Sequence, residues 1–136
     1  MKRLITVEEH YSSKAVNERI RKALEKHGTE EAHRLVRLVS GETAPGATDL
    51  GAERIAYMDT HGIDTQVISY ASGIPATLEP EFSVPFCQDV NNEMAEKAAL
   101  HPGRFGLFAH LPLGDGKEAA KELERPRLSA SRNALW

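Results

Sequence analysis

Met58-Asp59-Thr60-His61-Gly62-Ile63-Asp64-Thr65-Gln66-Val67-Ile68-Ser69 turns a helix into a strand. A helix is expected from about Leu50 to Thr60, with Ile55 and Met58 on one face and Gly62 just past its end, where glycine readily takes a left-handed backbone. Thr65 to Ser69 is short, apolar and partly β-branched, which reads as a strand. Tyr70 to Glu81, rich in Ala, Gly, Ser and Pro, reads as a long loop at the C-terminal end of that strand.

Upstream, Leu4 to Val7 reads as a first buried strand. Lys14 to His27 follows as a helix with Ala15, Ile20 and Leu24 among charges, and Gly28 stops it. Glu30 to Val39 is a second helix, its first-turn acids suiting the positive dipole end and its Leu35, Val36, Leu38 and Val39 expected inside. Gly41 to Thr48, with Pro45 and Gly46, is a loop. Downstream, Val84 to Leu100 should be a helix burying Phe86, Val90, Met94 and Ala98, and it ends before Pro102-Gly103. Phe105 to Ala109 is a third strand; Asp115 then opens a fifth helix, with Glu118 placed for a capping box. Strands separated by helical segments imply right-handed crossovers and a parallel sheet, an α/β fold with its chemistry in the loops after the strands.

The 136 residues suffice for one domain, and a 40% hydrophobic and 27% charged composition is that of an ordinary soluble chain. Acids and bases interleave to a net charge of -3 without a basic stripe, so nucleic acid is not the expected partner. No apolar run approaches the roughly 18 to 20 residues that cross a bilayer, and Glu8, Glu9 and His10 break up the N-terminus too early for a signal peptide. Cys87 has no second cysteine to pair with, which fits a cytoplasmic setting; within a predicted helix it reads as structural.

Glu8-Glu9-His10 at the end of the first strand is the sharpest chemical signal. Side chains alternate along a strand, so Glu8 and His10 should share one side while Glu9 takes the other. Carboxylate oxygen and imidazole nitrogen together suit a divalent first-row cation. Two donors alone do not make a tight site, and a solvated strand end is the competing reading. His110 after the third strand, and Ser69, Tyr70 and Ser72 after the second, are candidates to border a small-molecule substrate. His61 and His101 suit helix ends, His27 and His33 a solvated face, and Asp59 and Asp64 a turn. Arg104 precedes its strand, at the end where stability rather than chemistry is expected.

The opening Leu4 to Tyr11 resembles the start of the aromatic-acid decarboxylases of the amidohydrolase superfamily, the group around gamma-resorcylate decarboxylase and aminocarboxymuconate semialdehyde decarboxylase. Arg54 to Asp59 with Gly62 to Ser69, Asn91-Asn92, His101 to Ala109, Leu111-Pro112-Leu113 and Ala119 to Arg125 resemble later segments of that family in the same order. The resemblance implies a TIM-type (β/α)8 barrel with zinc, or sometimes manganese, at its C-terminal mouth. Glu8 and His10 would be ligands there, completed by a His and an Asp from much later strands. The implied reaction is metal-dependent decarboxylation of an aromatic carboxylic acid; hydrolase relatives use the metal to make a hydroxide nucleophile.

Such barrels need about 250 residues, so residues 1–125 are expected to be a truncated N-terminal part, about three βα units, inactive alone. Residues 126–136 read as an unrelated tail of the kind a shifted reading frame leaves. Alternatives are a non-catalytic remnant or interaction module, self-associating through exposed sheet edges, and a small independent α/β domain.

Overall fold

A computed structural model describes residues 3–39, 46–71 and 78–125. Three strands, β1 (Ile5–Tyr11), β2 (Thr65–Tyr70) and β3 (Phe105–Leu107), form one sheet in the order β1-β2-β3, and both pairings are parallel. Between β1 and β2 run α1 (Lys14–His27), α2 (Glu30–Val39) and α3 (Ala52–Thr60). α4 (Pro80–Ala99) links β2 to β3, and α5 (Gly116–Glu124) follows β3.

Local chemistry sets the helix limits. The Ser13 hydroxyl accepts the Val16 amide at 3.1 Å and caps α1, while Gly28, at a φ of 68°, ends it. Val16, Ile20 and Leu24, four residues apart, form the buried stripe of α1. The Asp115 carboxylate caps α5 by accepting the amides of Lys117 and Glu118. Only this half of the expected capping box forms: the Asp115 amide donates to the Pro112 carbonyl at 3.0 Å, and the Glu118 carboxylate takes the Lys121 ammonium.

Several boundaries differ from the expectation. α4 starts four residues earlier, at Pro80, since proline fits the first turn, where its missing N–H costs nothing. β3 stops at Leu107 instead of Ala109, and β1 continues to Tyr11 instead of ending at Val7. Glu8, Glu9 and His10 therefore lie inside the first strand. The charged triplet broke the apolar pattern that marked the strand, but pairing with β2 carries on through it.

One side of the sheet is covered. Tyr11, Ile68, Tyr70, Phe105 and Leu107 join Ile20 and Leu24 of α1, Met58 of α3, and Phe86, Val90 and Met94 of α4 in a single core. Each such apolar side chain, removed from water, contributes roughly 1.5–3 kcal/mol. Val36 packs partly against this core from α2; the side chains of Leu35, Leu38 and Val39 lie outside the described residues. Cys87 is fully buried within the core, and burial pushes its thiol up to about 12. The Arg104 guanidinium donates to the carbonyls of Ile63 and Asp64 and pairs with Asp59 at 2.8 Å, tying the α3–β2 turn to the start of β3.

Candidate functional site

The register of β1 on β2 decides which residues share a face. Thr6 pairs with Gln66 and Glu9 with Ile68, so three steps along β1 match two along β2. The extra residue is a β-bulge at Val7-Glu8, and Glu8 itself sits at a φ of 63°. A non-glycine residue there costs on the order of 1–2 kcal/mol, and such strain gathers where a site needs a particular geometry.

Glu9 and Tyr11 pair with Ile68 and Tyr70, the helix-facing residues of β2; His10 pairs with Ser69 on the opposite, open face. Val7 and Glu8 together stand against Val67, which is buried yet lies outside the helix-side core. By register, then, Glu8 and His10 share the open face, and Glu9 takes the other. Simple alternation from Thr6 would have put Thr6 on that face as well; the bulge resets the phase after it. Glu8 and His10 are both exposed, and among the described residues no side-chain hydrogen bond or ion pair engages either. A carboxylate and an imidazole left free side by side suit a divalent cation. They form a partial donor set, since among the described residues no third His, Cys, Asp or Glu joins them.

The substrate candidates separate. Ser69 lies beside His10 in the ladder, and its hydroxyl donates to the Glu9 carbonyl at 3.3 Å. Tyr70 belongs to the covered face: its hydroxyl donates to Asn17 Oδ1 and accepts the Ser13 amide, and burial pushes its phenol up to about 12. His110 meets Tyr70 at 5.8 Å and Phe86 at 5.5 Å between ring centroids, so its ring also sits toward the helices. Its Nε2 is buried with no hydrogen-bond partner among the described residues, and burial lowers its basicity. Ser72 lies outside the described residues. The structure thus brings Glu8, His10 and Ser69 to one face, and Tyr70 and His110 together on the other.

Two groups of residues were not legible from sequence as parts of this end of the fold. The buried Asn91 side chain donates to the His110 carbonyl at 2.9 Å and accepts the His110 amide at 2.8 Å, imitating a ladder pair across the loop after β3. The Asn91 side-chain amide also donates to buried Glu122, which the Arg125 guanidinium engages through both oxygens. The available signal was Asn91 on the stripe of α4 that also holds Ser83 and Cys87, where an apolar residue is the default. The second group centres on Arg54. A half-open cavity of about 360 Å3 opens between β1, β2 and α3, lined in part by Glu9, His10, Asp49, Arg54 and Gln66.

Comparison with known proteins agrees with this fold. The Amidohydrolase family model matches residues 18–127, a span that begins after Glu8 and His10. Gamma-resorcylate decarboxylase of Rhodococcus jostii (strain RHA1) is 38% identical over 78 residues, 57% of this chain and 24% of that protein. The 5-carboxyvanillate decarboxylase of Sphingomonas paucimobilis superposes with a TM-score of 0.71 at 28% identity, over 96% of this chain and 40% of that one. Dihydroxybenzoic acid decarboxylase of Polaromonas sp. JS666, solved with manganese and the inhibitor 2-nitroresorcinol, gives 0.62 at 27% identity, over 92% and 35%. The chain therefore spans about a quarter to two fifths of the length of these relatives. Its three parallel βα units match the N-terminal portion of their (β/α)8 barrel. With a family model covering most of its residues, the chain belongs to the Amidohydrolase family.

Proposed function

We propose that this chain supplies the first-strand half of a divalent-metal site in a carboxy-lyase acting on a hydroxylated aromatic acid. The observation that carries the reading is the pair Glu8 and His10, whose side chains have no partner among the described residues, on the open face beside Ser69. The decarboxylase names of the relatives favour carbon–carbon cleavage over hydrolysis, and manganese in one of them supports a divalent cation. Carboxylate and imidazole accept manganese or zinc alike.

When bound, such a cation would stabilise negative charge on the substrate's carboxylate and neighbouring phenolate oxygens. Glu8 and His10 would hold it, and the Ser69 hydroxyl, next to His10 in the ladder, would border the substrate. Two protein donors hold a cation weakly, so the 136-residue chain by itself is expected to bind metal loosely and to release no carbon dioxide from hydroxybenzoates. Cytoplasmic residence belongs to the same reading; no helix among the described residues is long and apolar enough to cross a membrane. Self-association belongs to it too, because β1 and β3 each leave one edge unpaired among the described strands.

A chimera tests the function. Residues 3–125 would replace the matching segment of the Sphingomonas paucimobilis enzyme, and carbon dioxide release from 5-carboxyvanillate would be followed with manganese present. Retained turnover that Glu8→Gln and His10→Ala each abolish is the expected result. A folded chimera whose turnover ignores both substitutions refutes the assignment.

A further inference from the structure

Arg54, in the first turn of α3, is half-buried, yet three of its guanidinium bonds end on main-chain carbonyls. Nη2 donates to His10 O at 2.8 Å and Gly46 O at 3.0 Å, and Nε donates to Asp49 O at 2.7 Å. Nη1 reaches Gln66 Oε1 on β2 at 3.4 Å, and the Arg54 amide donates to the Asp49 carboxylate at 2.8 Å. One planar group thus joins the C-terminal part of β1, the loop before α3 and the central strand. The desolvation cost of keeping a cation here is offset by several directed bonds, which an ammonium could not reproduce from one position.

The place where it grips β1 matters. The bulge leaves Val7 and Glu8 without regular pairing between Thr6 and Glu9, so β1 is least restrained at Glu8, one paired residue before His10. The bond to His10 O fixes the main chain on the far side of that gap. The amide of Ser12 continues the restraint by donating to Ala47 O at 2.8 Å.

We infer that Arg54 is a positioning residue for the Glu8–His10 pair, fixing the His10 main chain so that imidazole and carboxylate keep the separation a divalent cation requires. The inference rests on the metal-binding reading above. It also carries a sign that opposes simple electrostatics. Removing a positive charge near a cation site should strengthen binding if charge is all that matters; loss of positioning should weaken it.

Manganous ion is the probe, titrated into the 136-residue chain while paramagnetic broadening of the His10 ring Cε1–H signal is followed. Thermal unfolding of each variant is recorded alongside. Arg54→Gln is expected to weaken manganese binding by about ten- to a hundredfold, the range over which groups that orient a metal ligand act. Arg54→Lys should recover part of the loss, and millimolar methylguanidinium should restore binding to Arg54→Ala. Unchanged or tighter binding in folded Arg54→Gln overturns the positioning role, whatever happens to the unfolding temperature. Should Arg54→Gln fail to fold, Arg54→Lys binding as tightly as the parent overturns it equally. Absence of selective His10 broadening in the parent chain overturns the metal reading itself, and this inference with it.

Discussion

On the covered face of the sheet, Tyr11, Ile68, Tyr70 and Leu107 meet α1 and α4, and Ile68 is wholly buried. On the open face, Ile5 and Val7 stay 44% and 60% exposed, and the side chains of Glu8 and His10 have no partner among the described residues. One sheet supplies both faces. Folding energy is therefore concentrated on one side and uncommitted chemistry on the other, so substitutions on the two faces should behave as separate classes.

The sharpest contrast is Ile68→Ala against Val7→Ala. Ile68→Ala should cost about 3–4 kcal/mol, as a large-to-small change in a packed core does. Val7→Ala should cost no more than about 0.5 kcal/mol, as exposed substitutions do. Chemical denaturation of both variants reads the difference; comparable losses would show that the open face is also packed. Next is the covered-side latch. Asn91→Ala strips partners from the His110 amide and carbonyl and from Glu122 at once. A loss of roughly 2–3 kcal/mol is expected from orphaning those buried groups.

Acid should act on the covered side through His110. Burial holds its folded pKa below the ordinary 6.5, so the unfolded chain takes up the proton first as pH falls. Stability due to the neutral ring is present above about 6.5 and declines as pH drops below it toward the folded value. Denaturation midpoints measured across that range should show the decline in the parent and a smaller one in His110→Phe. The smallest effect is expected at the bulge. Glu8→Gly relieves a left-handed non-glycine residue and should leave stability unchanged or raise it by up to about 1 kcal/mol. It should also remove manganese-dependent broadening at His10. A clear loss of stability would show that the Glu8 carboxylate supports the fold.

The covered face was the more legible of the two from sequence. Apolar stripes such as Val16, Ile20 and Leu24, with Ser13 and Gly28 at their ends, fix α1 by local rules alone. The span of α2 and the parallel order of the strands follow from the same kind of pattern. β1 was cut short because a charged triplet ends an apolar run, although strand pairing is a property of the neighbour β2. The bulge could not be read for the same reason: it exists only in the register between two distant strands. Sequence placed Glu8 and His10 together, but it treated Tyr70 and His110 as possible substrate contacts when their rings turn toward α4. Residues following a strand can face either side, and only the packed partners decide which. Arg54 and Asn91 act through main-chain groups far away in the chain, which no local pattern reveals.

The most direct test is diffraction from crystals of this chain soaked in manganous chloride. An anomalous peak is expected between the Glu8 carboxylate and the His10 ring, within coordination distance of both. Side chains of Glu8 and His10 directed to opposite faces of the sheet, with no metal density between them, would contradict the account.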